Sequence, residues 1–225
     1  MGRSLGGKRS HLSQQSLTCY TLSIMKHFHN RAITNAARAD LAGKWDFFVK
    51  LTLLYLAVTI LISLFPGGDM ALLVIDGPIM LGVALVYLRF IRKEKYEYDD
   101  LFDGFKQFGS ACITYLVMVV FILLWAVLLI VPGVIAALAY SQTFFLLADN
   151  PSLRPLEALK KSKEMMMGYK WQYFRFLCRF IPWLVLAVIP LGIGLLWFIP
   201  YMLTSQAHFY EKLKNNEKQA HNPAE

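Results

Sequence analysis

The sequence predicts an all-α integral membrane protein of about six transmembrane helices. They form three helical hairpins joined by cytoplasmic amphipathic helices, with the N and C termini cytoplasmic. Three observations carry this expectation. Residues Gln107 to Ala148 contain no Asp, Glu, Lys, Arg or His. One helix through them would be roughly 63 Å long, about twice the ~30 Å hydrocarbon thickness of a bilayer. Val131-Pro132-Gly133 interrupts the run. Pro has no backbone N–H and Gly tolerates a reversal, so the chain is predicted to turn back there. The remaining apolar blocks, and the placement of the 23 Lys and Arg residues, are the second and third observations.

Taken in order, the first span is Phe47–Phe65, with Trp45 at its interfacial end. The second is Met70–Ile91, interrupted by Asp76-Gly77-Pro78. Ala111–Val131 and Gly133–Ala148 are the third and fourth. Phe180–Ala207 is free of ionisable groups, too long for one upright span and short for two, with Pro190, Gly192 and Gly194 near its middle. Recruiting its flanks gives two spans, Trp171–Ile189 and Leu191–Phe209; a re-entrant hairpin is the competing reading. Two connecting segments have helical apolar spacing. Asp99–Phe108 aligns Leu101, Phe102, Phe105 and Phe108. Pro155–Met167 sets Leu156, Leu159, Met166 and Met167 opposite Lys160, Lys161 and Lys163. Such helices commonly lie in the membrane interface, although an ordinary solvated cap on the bundle has the same pattern.

Charge decides orientation. With six spans every Lys and Arg falls on one side, and the turns at Pro66–Asp69, Pro132-Gly133 and Pro190–Gly194 carry none. The positive-inside bias then places that side in the cytoplasm. The net charge of +8 is thus a membrane signature, and nucleic acid is not an expected partner.

Residues 1–24 are Ser-rich and basic and lack the continuous apolar core of a secretory signal. They are expected to be a poorly ordered extension, with Met25 as the native start. The membrane domain is 25–213 and a polar cytoplasmic tail 214–225. Gly2…Gly7-Lys8 imitates a phosphate-binding loop, but Arg9 stands where Ser or Thr would hold magnesium, and no strand precedes it. Cys19, Cys112 and Cys178 are isolated, so neither a disulfide framework nor a zinc site is expected.

Ser141-Gln142-Thr143-Phe144-Phe145 is echoed by Ser205-Gln206-Ala207-His208-Phe209, each near the end of a predicted hairpin. Leu128–Gly133, Ala139-Tyr140-Ser141, Leu147–Pro151, Glu157-Ala158 with Ser162, Met165–Gly168, Gly192-Ile193-Gly194 with Trp197, Pro200-Tyr201 and Phe209-Tyr210 resemble the family called domain of unknown function 975. The resemblance covers roughly Met25 to Leu213. It implies a multi-pass protein of the bacterial cytoplasmic membrane, with no agreed activity and no catalytic residues to carry over.

Candidate polar residues divide into two groups. Asp76 is the one acid inside an apolar block. It fits a proton or cation relay, or a cap on a helix restarting at Gly77-Pro78. Ser141, Gln142, Ser205 and Gln206 fit either a polar site between spans or hydrogen-bonding glue. On the cytoplasmic side Lys160, Lys161, Lys163, Arg175 and Arg179 are candidates for lipid headgroups, and the two arginines would equally well snorkel. Asp99, Asp100 and Asp103 are read as helix-start acids. With no His-Glu-x-x-His, no Gly-x-Ser-x-Gly and no paired carboxylates at membrane depth, no catalytic residue, metal site or cofactor is expected. The expected function is a non-enzymatic bilayer-organising, lipid-interacting or partner-supporting component, its partners being membrane lipids and other membrane proteins. The alternative is a small transporter with a path near Asp76, Gln142 and Gln206.

Overall fold

The computed structural model describes residues 29–189 and 192–221, and every regular element among them is helical. The extension 1–24 and the start at Met25 lie outside the described residues. Helix α1 (Asn30–Leu41) precedes α2 (Trp45–Ser63), which reverses through Gly67 at φ 83° into α3 (Gly68–Ile91). A 3-10 segment (Tyr98–Gln107) leads into α4 (Phe108–Leu128), followed by α5 (Ile130–Tyr140), α6 (Thr143–Asp149), α7 (Pro155–Met165), α8 (Lys170–Cys178), α9 (Ile181–Val188) and α10 (Leu195–His221). By length and composition, four described stretches are apolar enough to cross a membrane: Trp45–Ser63, Met70–Ile91, Tyr98–Leu128 and Ile130–Asp149. Later segments fall short because α8 and α9 part at Arg179-Phe180, and because Thr204-Ser205-Gln206 and His208 dilute α10. Helix α10 also continues to His221, past the apolar pattern that ends near Leu213.

Three expectations are corrected. The second block is one continuous helix: α3 runs straight through Asp76-Gly77-Pro78, so Asp76 lies inside a helix and caps nothing. A proline inside a helix removes its own N–H and crowds the carbonyl four residues back, and the packing around this one is close enough to keep the helix continuous. A Cβ built on Gly82 would sit 1.9 Å from the Leu101 carbonyl oxygen, and one on Gly104 would sit 2.0 Å from that of Pro78. Backbone therefore meets backbone, as small residues permit between membrane helices.

That contact corrects the second expectation. The segment after Tyr98 does not lie apart as a surface helix. It runs antiparallel along the inner half of α3 and continues into α4, with Phe102, Phe105 and Phe108 on its exposed side. Third, the reversal before α5 falls at Leu129, the one extended residue there (φ −161°, ψ 137°), and not at Pro132-Gly133. Pro132 instead occupies the first turn of α5, where its missing N–H costs no intrahelical bond. Gly133 lets α5 pack on α4: an added Cβ would stand 2.8 Å from the Ala126 Cα. Gly194 meets Ala187 in the same way, at 2.6 Å, where α10 packs on α9.

Burial is uneven along the helices. Phe48, Tyr87, Phe90, Phe176, Phe209 and Tyr210 form a closed aromatic core at the end where the charged segments gather. Around the reversals the apolar side chains are bare; Val127 is 86% and Ile130 80% exposed. In water such a surface would be costly, at about 25 cal/mol per Å². Against hydrocarbon it costs nothing, which is why the sequence can leave it unpacked.

Candidate functional site

Ionic contacts concentrate at the core end. Arg92, just past α3, lies 2.8 Å from Asp149 at the end of α6, and its Nε donates to Glu211 of α10 at 2.7 Å. Asp149, whose side chain is 8% exposed, also accepts from Lys214 and from the Tyr210 hydroxyl at 2.9 Å. A second group joins Asp40 of α1 to Lys93 and to His208 of α10, the latter at 2.9 Å. Burial pushes the Asp40 carboxyl up, but Lys93 and His208 outweigh it and hold the group below its ordinary value. A third group sets Arg89 on Asp100 and Asp103. Asp100 also caps the 3-10 segment by accepting from the Glu97 N–H at 2.7 Å, so it is both a helix-start acid and an ion-pair partner. These pairs were not foreseen, because their members are far apart in sequence. The available signal was a lone acid, Asp149, at the edge of an apolar run.

The five cations singled out from the sequence do not form one cluster. Lys160 reaches only its own helix neighbour Glu164, at 4.0 Å and well exposed. Lys161 lines a cleft of about 430 Å³ between α6, α7 and α10, with Asp149, Lys214 and Lys218 on its walls. Lys163, Arg175 and Arg179 are exposed. Among the described residues Lys161, Lys163, Arg175 and Arg179 have no carboxylate partner.

At membrane depth Asp76 accepts from the Tyr115 hydroxyl of α4 at 3.3 Å. It lies eight residues into α3, about 12 Å from the helix start. Ser141 and Gln142 occupy the break between α5 and α6. Ser141 Oγ donates to the Leu138 carbonyl at 2.9 Å and accepts from Gln142 Nε2 at 3.1 Å. Gln142 is fully buried, and the Tyr173 hydroxyl lies against both residues. The second copy differs: α10 is continuous through Ser205-Gln206, and Ser205 Oγ donates to the Tyr201 carbonyl at 2.7 Å. No hydrogen bond joins the two copies or connects either to Asp76 among the described residues. The polar candidates thus occupy separate places and do not line one path.

Among the described residues no group of three or more His, Cys, Asp and Glu could hold a metal ion. Cys112 and Cys178 are free thiols.

No curated protein and no solved structure matches the chain. A family model described as Protein of unknown function (DUF975) matches residues 127–217, from the end of α4 through most of α10. The match is shorter than the resemblance read from Met25 to Leu213 and covers its most motif-rich part. Over residues 127–217 the chain is thus similar to the DUF975 family, whose function is unknown.

Proposed function

We propose that the chain is a non-catalytic component of the bacterial cytoplasmic membrane that gathers anionic lipid around its inner face. The observation that carries this reading is the sorting of its charge. The acids Asp40, Asp100, Asp103, Asp149 and Glu211 are consumed in contacts that tie helices together. Among the cations left without a carboxylate partner, Lys163 of α7, Arg175 of α8 and Arg179 just after it are exposed, and Lys161 is half-buried on the cleft wall. Each basic group near an anionic membrane surface contributes about 1 kcal/mol, so such a set biases the lipid composition around it.

Six spans and cytoplasmic termini complete the proposal. In it, α8 and α9 together form a fifth span, bent at Arg179-Phe180 ahead of Pro182, within which Arg175 and Arg179 snorkel towards the inner headgroups, and α10 forms the sixth. The ion pairs support this: they bring α1, the ends of α3 and α6, and α10 together, as a one-sided placement requires. The reversals at 64–67, 129 and 189–194 carry no Lys or Arg. The exposed apolar residues around these reversals are surfaces for lipid chains or for neighbouring membrane proteins.

The test is lipid retention in native-lipid nanodiscs. Wild type is compared with a variant carrying Gln at Lys160, Lys161, Lys163, Arg175 and Arg179, once its topology is shown unchanged. The proposal predicts less anionic lipid around the variant; equal enrichment in both removes it. A transporter is the second reading, favoured by the Asp76–Tyr115 contact inside the apolar layer, since intramembrane acids commonly serve ion or substrate paths. Substrate uptake into liposomes that Asp76→Asn abolishes, with folding intact, would establish it.

A further inference from the structure

A cavity of about 360 Å³ opens between α2, α9 and α10, a size usual for ligand pockets. Its walls are aromatic: Trp45, Trp183, Trp197, Phe198 and Tyr201. Arg38 of α1 is the only charged residue in this lining. Its guanidinium carbon stands over the Trp183 ring at 5.7 Å and over the Tyr201 ring at 5.6 Å. Cation–π contacts of this kind hold the guanidinium beside the rings and use none of its N–H donors. The guanidinium makes no ion pair with any described residue. A guanidinium held between two rings with its donors unused is preorganised for a phosphate, which accepts two parallel N–H bonds.

The remaining walls fix the other half of the ligand. From Tyr201 to Gly194 the cavity follows α10 for about 10 Å towards the α9–α10 reversal. Along that path it opens beside Leu186, which is 59% exposed, and Trp183, 48% exposed. With the last two spans placed as proposed above, on which this inference rests, these side chains face lipid chains and the entrance lies among them.

We propose that this cavity binds a single anionic phospholipid, its phosphate on Arg38 and one acyl chain between α9 and α10. The site lies apart from the α7–α8 cations and holds one lipid, where those cations would gather many. The two proposals therefore fail separately.

The experiment uses full-length protein, delipidated in an uncharged detergent and titrated with phosphatidylglycerol or phosphatidylcholine of matched chains. Native mass spectrometry counts the first lipid bound. Both lipids carry the phosphate, but the choline ammonium of phosphatidylcholine offsets its charge and is repelled by Arg38, so wild type is expected to prefer phosphatidylglycerol about tenfold. Arg38 is exposed, so Arg38→Gln should fold normally and lose the preference. Arg38→Lys should keep the preference and bind both lipids more weakly, because a lysine keeps the charge but has no planar fork. Trp197→Ala should weaken both lipids alike, and the five-Gln variant should keep the full preference. Equal binding of the two lipids to wild type overturns the proposal. So does a preference that survives Arg38→Gln, or one that disappears in the five-Gln variant.

Discussion

Arg92 and Asp149 meet at 2.8 Å although 57 positions separate them, and the contact locks the inner end of α3 to the end of α6. Asp149 is nearly closed off from solvent and has two further donors, Lys214 and Tyr210. Removing Arg92 therefore leaves the carboxylate poorer but not bare. Arg92→Gln should cost about 1–3 kcal/mol, less than the ~3–5 kcal/mol of a buried charge left alone. Asp149→Asn strands Arg92 with Glu211 and should cost a similar amount. Detergent unfolding of both single variants and the double variant checks this. The double variant should be less damaged than the sum, by ~0.5–3 kcal/mol, because the two residues share one interaction.

Gly82 is the tightest point of the fold. With a Cβ placed 1.9 Å from the Leu101 carbonyl oxygen, Gly82→Ala forces α3 and the 3-10 segment apart. The variant should be proteolysed and poorly abundant. Gly109, near the start of α4, has nothing within 4 Å of its Cβ position. Gly109→Ala should be neutral or stabilise by ~0.4–1 kcal/mol, since alanine loses less conformational freedom in a helix. Abundance in the membrane fraction decides it, and equal losses in both variants would contradict the packing account.

Gly133→Leu tests the Leu129 reversal. The added side chain meets the Ala126 backbone, so α5 cannot lie on α4 and membrane assembly should fail. Pro132→Ala should be mild, because residues in the first helical turn have no carbonyl partner for an N–H. If the proline itself set the reversal, Pro132→Ala would be the damaging change.

Acid should loosen the contact between α1 and α10. The Asp40 carboxyl is held below its ordinary value of 3.8, with burial opposing and Lys93 and His208 prevailing. A depressed carboxyl contributes stability that is complete above its unfolded-state value and is lost as pH falls through the folded one. Wild type should therefore lose more stability than Asp40→Asn between about pH 5 and pH 3. Thermal unfolding of both proteins across that range measures the difference. Parallel curves would show that Asp40 is not held by these partners.

The lengths of the apolar blocks and the two amphipathic segments made most helices legible, because bilayer thickness and the 3.6-residue period are local constraints. Pro78 and Pro132 misled for a shared reason. A proline says where an N–H is missing, and whether a helix ends there depends on what packs against it. At Pro78 the Gly82–Gly104 contact accompanies a helix that stays continuous. At Pro132 the chain had already turned at Leu129, a residue type with no turn preference of its own. The Ser-Gln echo was visible, but its two copies fold differently. A break leaves Gln142 buried beside Tyr173, whereas Ser205 bonds back within a continuous helix. Asp40 with His208, Arg92 with Asp149 and Arg38 with Trp183 could not be read from the chain. Each depends on which helices become neighbours, and only the folded arrangement decides that.

The one-sided six-span arrangement underlies the whole account, and cysteine accessibility in intact cells tests it most directly. In a cysteine-free background, Phe65→Cys and Ile193→Cys should react with an impermeant maleimide from outside. Lys95→Cys and Lys161→Cys should react only after the membrane is opened. Labelling of Lys161→Cys in intact cells would contradict the arrangement, and protection of Ile193→Cys would replace the last two spans with a re-entrant loop.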